Sequence, residues 1–130
     1  ATHVVPLLTD DEMWHYGVGD LIEKYEEAGL VVRRMPILDQ GVSSVEEMDE
    51  MVTWLAARTT EGARVVIHCV GGLGRAGLVA GSFLKSKGLD AESAIAEVRR
   101  VRTARALEST VQEEFVMDFG GTDGPPGGEA

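Results

Sequence analysis

Val65-Val66-Ile67-His68-Cys69-Val70-Gly71-Gly72-Leu73-Gly74-Arg75-Ala76-Gly77 passes from an apolar run through a glycine-rich turn into the opening of a helix. An unbroken apolar run suits a central strand buried on both faces, where alternation is not required. The glycines let the backbone curl so that successive N–H groups converge, and a helix starting near Ala76 adds the positive end of its dipole. Open α/β sheets bind ligands outside the carboxyl ends of their strands, and residues 69–75 fall at such an end.

The flanking sequence repeats the alternation of strand and helix. Residues 2–8 read as a short strand with Pro6 near its end, and Asp10, Asp11 and Glu12 as a polar connection. Residues 18–28 predict a helix with Leu21, Ile22 and Tyr25 on one face. Gly29 ends it, residues 30–35 form the next strand, and residues 36–43 a loop. Ser44 with Glu47 makes a capping-box pattern, opening a helix whose apolar face carries Val45, Met48, Val52 and Leu55. After the glycine turn, residues 76–86 are helical and end near Gly88. Asp90 caps a helix through about Arg102, with Ile95, Val98 and Val101 inward. Residues 110–119 make the last helix. The expected architecture is α/β, with a mostly parallel central sheet flanked by helices on both faces. It forms one domain over residues 1–119, followed by a flexible Gly/Pro-rich tail over residues 120–130.

Composition narrows the function. Twelve Lys and Arg against 22 Asp and Glu give a net charge of −10 over 130 residues. That balance argues against nucleic acid or an anionic membrane surface as partner, since both reward clustered cations. No stretch approaches the ~20 apolar residues of a membrane span, and the first residues lack a charged region followed by an apolar one. With a single thiol, a cytoplasmic, reducing location is expected. No His, Cys or carboxylate group falls at metal-ligand spacing, and no cofactor is called for.

Cys69 is the only cysteine, so it has no internal disulfide partner and any use lies in its own chemistry. Arg75 can grip two oxygens of a phosphate at once, and the same positive field favours the nucleophilic thiolate. Val70, Gly71, Gly72, Leu73 and Gly74 supply the amides of the cradle, closed by Arg75. A phosphate ester also needs its leaving oxygen protonated. Asp39, in the loop after a neighbouring strand, is the candidate general acid, and then the base for the water that hydrolyses a phosphocysteine.

Each of these residues has a plainer reading. A lone cysteine after a buried strand is by itself most often a small core residue, and Asp39 could serve a turn or cap. Gly72-x-Gly74-x-x-Gly77 also fits a dinucleotide fingerprint. The acidic residue that fingerprint wants ~20 residues on falls near Glu97, in a predicted helix, and Cys69 and Arg75 go unexplained. Arg99, Arg100, Arg102 and Arg105 are either a solvated face or a patch that attracts phosphorylated substrates. Trp14 and Trp54 read as structural, and His3 and His15 carry no constellation.

His68-Cys69-x5-Arg75, preceded by Pro36-Ile37-x-Asp39, resembles the protein tyrosine and dual-specificity phosphatases, with most likeness to the cyclin-dependent-kinase-associated members and their prokaryotic relatives. The likeness runs over residues 4–119. It includes Tyr25-Glu26-Glu27-Ala28-Gly29 and Ala106-Leu107-Glu108-Ser109-Thr110-Val111-Gln112. It implies that Cys69 is the nucleophile, Arg75 the phosphate clamp and Asp39 the acid, with His68 supporting the cysteine by hydrogen bonding. The implied substrate is a phosphorylated protein or peptide, phosphotyrosine first, with phosphoserine and phosphothreonine left open. Three departures stand out. Ala76 replaces the Ser or Thr whose hydroxyl helps the thiolate leave. Glu108 occupies the segment where many relatives place a water-positioning Gln, with Gln112 nearby as a second supporting candidate. Members usually carry more chain before the first strand, so residue 1 reads as a trimmed or short start. Two alternatives stay open: a phosphoprotein-binding module with little turnover, motivated by Ala76, and a phosphatase for a non-protein ester. Val70 and Leu73 count against inositol phosphates, whose enzymes tend to place lysines in this loop.

Overall fold

The computed structural model describes residues 1–70, 74–101, 106–107 and 109–120. The elements, in chain order, are β1 (His3–Pro6), α1 (Asp10–His15), α2 (Leu21–Glu27), β2 (Val31–Val32), α3 (Val45–Thr60), β3 (Val65–His68), α4 (Gly74–Ser86), α5 (Ala91–Val101) and α6 (Thr110–Asp118). The three strands are parallel in the order β2-β1-β3, so the fold is α/β. Val5 pairs with Ile67 and Pro6 with His68. The first pair faces the main core with Leu7, Met48, Leu55 and Leu78, while His68 faces Tyr25 of α2 on the opposite side. Helices therefore cover both faces, the α3–α6 side more deeply.

The central strand is β1, not β3. Among the described residues β3 pairs only with β1, and Val66 is 47% exposed. Val4 and Val5, by contrast, are buried on successive sides. The apolar run at 65–67 thus marks a strand that packs hard on one face and lightly on the other.

The strand expected over residues 30–35 is a ladder only at Val31–Val32, but its hydrogen bonding continues. Arg33 N–H donates to Val4 O at 3.0 Å, Met35 N–H to Pro6 O at 3.4 Å and Ile37 N–H to Leu7 O at 3.0 Å. This zipper delivers the 36–43 loop to the carboxyl end of β1, next to the end of β3. Asp10, Asp11 and Glu12, expected as a connection, instead open α1. Thr9 Oγ accepts from Glu12 N–H and the Glu12 carboxylate accepts from Thr9 N–H, the reciprocal pattern of a capping box.

Helix α3 starts as read, with Ser44 and Glu47 closing a capping box and Met48, Val52 and Leu55 buried. Met51 joins that face, while Val45, at the first helical position, precedes the turn that reaches the core and is exposed. Gly29 adopts φ +86° and Leu30 N–H reaches back to Tyr25 O, ending α2 as the glycine predicts. Helix α4 begins at Gly74, earlier than expected, which places Arg75 in its first turn. A Cβ on Gly81 would sit 3.3 Å from both Val116 methyls, so α4 and α6 pack almost backbone to side chain.

Asp90 caps α5 by accepting from Ser93 N–H at 2.8 Å. Ala94 and Val98 are buried, whereas Val101, expected inward, lies at the last position of the helix and is 64% exposed. Arg99 braces α5 to α6, donating to Ala106 O and to Glu113, and Arg100 pairs with Glu97 on the surface. Arg102 and Arg105 lie outside the described residues. Trp14 is 83% exposed and so is no core anchor; Trp54 is partly buried between the guanidinium groups of Arg33 and Arg58. Among the described residues, no helix is long and apolar enough to cross a membrane.

Replacing the α3 cap, Ser44→Ala, is expected to cost about 1 kcal/mol. A thermal melt should register this as a fall of a few degrees in Tm, and Ser44→Asp, which keeps the acceptor, should restore it.

Candidate active site

Arg75 is 2% exposed yet charged, so its donors need acceptors. They come from two places. Nη1 donates to Glu12 Oε1 at 2.6 Å and Nη2 to Glu12 Oε2 at 2.8 Å, a bidentate pair. Nη1 also donates to Ile37 O at 2.7 Å. Glu12 therefore grips the end of the guanidinium, and among the described residues Nε–H has no acceptor. A fork held by one end offers its remaining edge to an oxyanion.

Asp39 approaches the same group, with Oδ1 3.9 Å from Nη2 and its side chain 72% exposed. Burial works against the charge on Arg75, but the Glu12 hydrogen bonds and the negative charges of Glu12, Cys69 and Asp39 more than offset it and raise the pKa. Glu12 moves the other way, from 4.5 to about 2, chiefly because Arg75 donates to its carboxylate; partial burial opposes the shift and the Thr9 N–H adds to it.

Cys69 follows the last residue of β3 and packs at the edge of the main core, beside the start of α4. His68 points to the other face, where its Nε2 lies 2.8 Å from Tyr25 Oη and the rings meet edge to face. Burial lowers the His68 pKa, opposed by a hydrogen bond with the Cys69 backbone, and burial raises that of Tyr25. Both rings are therefore neutral near pH 7. Val70 is exposed, and Gly74 and Ala76 are buried in the first turn of α4. Gly71, Gly72, Leu73 and Glu108 lie outside the described residues.

Gln112 is buried completely. Its Nε2 donates to Gly41 O at 3.1 Å and its Oε1 accepts from Ser109 N–H at 3.3 Å. The side chain thus faces the loop that carries Asp39. A cavity of about 360 Å³ lies between α1 and that loop, lined by Asp11, Glu12, His15, Tyr16, Leu38 and Asp39. A separate cavity of about 340 Å³, walled by apolar groups such as Leu55, Ile67 and Val98, contains none of the site residues.

Structure thus brings Cys69, Arg75 and Asp39 to one end of the sheet. Glu12, which pairs with Arg75, and Tyr25, which meets His68, are not singled out by the sequence alone. Thr9-x-x-Glu12 carries the same capping-box signature as Ser44-x-x-Glu47, and it would have put a carboxylate at the start of a helix just past β1. Tyr25 was assigned to a helix face, and nothing local to it points to His68 across the sheet.

The family model described as PTP-SAK, Swiss Army Knife protein, DSP-PTPase phosphatase domain, matches residues 2–116. Cyclin-dependent kinase inhibitor 3 of Rattus norvegicus is 32% identical over 113 residues, which is 85% of this chain and 53% of that protein. An uncharacterized protein of Methanocaldococcus jannaschii is 34% identical over 109 residues, 84% of this chain and 71% of its own length. The chain spans about half the length of the cyclin-dependent kinase inhibitor 3 relatives it matches. Among solved structures, kinase associated phosphatase with its catalytic-site cysteine changed to serine superposes with a TM-score of 0.86 at 26% identity, over 90% of this chain and 67% of that one. Tk-PTP in the active form gives 0.77 at 38% identity, over 89% of this chain and 75% of that one. The likeness first read from His68, Cys69, Arg75 and Asp39 holds over nearly the whole chain: it belongs to the dual-specificity protein tyrosine phosphatase domain family.

Proposed function

We propose that the chain is a metal-independent protein phosphatase that works through a phosphocysteine. The observation that carries this reading is the meeting of Asp39 with Arg75, 3.9 Å apart, beside Cys69 at the carboxyl end of the sheet. In the first step the Cys69 thiolate attacks phosphorus; the S–P bond forms, the P–O bond to the leaving group breaks, and Asp39 gives that oxygen a proton. In the second, Asp39 takes a proton from water as the water oxygen attacks phosphorus, and the P–S bond breaks to return the thiolate and free phosphate. Val70, Gly71, Gly72, Leu73 and Gly74 would supply backbone donors and α4 its positive end, while Arg75 spans two phosphate oxygens. Phosphotyrosine on a protein or peptide is the proposed substrate, with phosphoserine and phosphothreonine open, and a reducing cytoplasm the proposed setting, because the thiolate must stay reduced.

Ala76 favours a second reading of the same site, as a slow enzyme that holds its phosphorylated partner. It is buried beside Cys69 without a hydroxyl to assist departure of the thiolate. The two readings differ in rate, not in chemistry.

Turnover of an aryl phosphate should vanish in Cys69→Ser and persist in the wild type with a chelator present; full activity in the variant would refute the mechanism. Rapid-mix kinetics should show a burst of phenol release followed by slower turnover, and Ala76→Ser should shrink the burst and raise kcat. Glu12→Gln sets an amide donor against the guanidinium donors. By loosening the brace on Arg75 it should lower kcat/KM for an aryl phosphate about tenfold, the effect of a clamp left out of position. The same variant tests stability against pH. The Glu12 carboxyl, depressed from 4.5 to about 2 by folding, stabilises the protein above pH 4.5 and ceases to do so as pH falls towards 2. Melting curves across that window should fall less steeply for Glu12→Gln than for the wild type.

A further inference from the structure

The loop that carries Asp39 has an unusual dependence on the start of α6. We propose that the α6 capping box is also the latch that positions the general acid, an inference that rests on the reading of Asp39 as proton donor. Each of its two side chains acts twice. Ser109 Oγ accepts from Gln112 N–H at 3.2 Å, the helix cap, and donates to Gln40 O at 2.9 Å. Gln112 Oε1 accepts from Ser109 N–H, the other half of the cap, and Nε2 donates to Gly41 O at 3.1 Å.

The loop needs such a hold. Gln40 sits at φ +61°, a left-handed conformation that a non-glycine residue adopts only when its surroundings impose it. Gly41 closes a tight turn, donating to Leu38 O at 2.8 Å, and a Cβ there would stand 2.9 Å from the same oxygen. The Asp39 side chain is exposed, and among the described residues its ion pair is the 3.9 Å approach to Arg75, so the backbone on either side does much to set its position. Before it, Ile37 O is pinned by Arg75 Nη1; after it, Gln40 O and Gly41 O are pinned by α6. Asp39 is bracketed between two anchors. Gln112, with both ends of its amide engaged and no exposed surface, acts in this arrangement as a positioning residue for the loop.

Two substitutions separate the latch from the cap. Gln112→Glu retains a good capping box but removes the donor to Gly41 O. Ser109→Asp retains an N-cap acceptor but removes the donor to Gln40 O, and at a partly exposed position it avoids burying a charge. The readout is kcat/KM, which reports formation of the phosphocysteine, on phenyl phosphate, whose leaving group needs a proton, and on p-nitrophenyl phosphate, whose leaving group needs it less. Circular dichroism and Tm verify folding, and Asp39→Asn is the reference. Each latch variant should lower kcat/KM for phenyl phosphate about tenfold, with less than about a threefold effect on p-nitrophenyl phosphate, and add little in an Asp39→Asn background. If Asp39→Asn shows this selective loss and folded Ser109→Asp does not, or loses both substrates equally, the latch is overturned while the acid stands. If Asp39→Asn itself shows no selectivity, the acid reading falls and the latch with it.

Discussion

A guanidinium held 2% exposed is an expensive group to bury, and the fold around Arg75 is arranged as its set of acceptors. Glu12 arrives on α1, Ile37 O on the loop after β2, and Arg75 itself on the first turn of α4. Removing any one would leave a charge or a carbonyl unpaired in a medium that punishes both. Hence α1, the loop after β2 and α4 hold fixed positions relative to one another.

That arrangement also divides the electrostatic work. Glu12 already balances the Arg75 charge, so an arriving phosphate meets a nearly neutral ion pair rather than a bare cation. On the proposed reading, the α4 dipole would carry much of the phosphate binding, which suits an oxyanion without attracting every anion in solution. On the far face, Tyr25 and His68 meet edge to face and share a 2.8 Å hydrogen bond next to Cys69 in the chain. Cys69 thus lies between the Arg75 side of the sheet and the Tyr25–His68 pair.

Much of this was legible in the amino-acid order. The apolar run at 65–67 and the helix after the glycines were legible as strand and helix, and Ser44, Gly29 and Asp90 mark helix ends because caps and left-handed turns are local physics. What escaped was decided by distant partners. Val66 looks like a core residue because its neighbours are apolar, yet the strand order leaves it half covered. Trp14 has the composition of a core group but is 83% exposed, and Val101, at the end of α5, rims an apolar cavity that leaves it 64% exposed. Glu12 was hidden for the opposite reason: among Asp10 and Asp11 it looks like one more solvated acid, and only the meeting of α1 with α4 distinguishes it.

The separations involved have a consequence for how the protein matures. Arg75 meets Glu12 across 63 residues and Ile37 across 38, and Gln112 meets Gly41 across 71. Each such contact closes a long loop, whose entropy must be lost before the contact returns anything. A chain with its helices formed but its topology incomplete holds Cys69 and Arg75 close in sequence and still lacks Glu12, the loop of Asp39 and its bonds to Ser109 and Gln112. The arrangement around Arg75 is therefore a property of the finished topology and not of the glycine-rich segment alone.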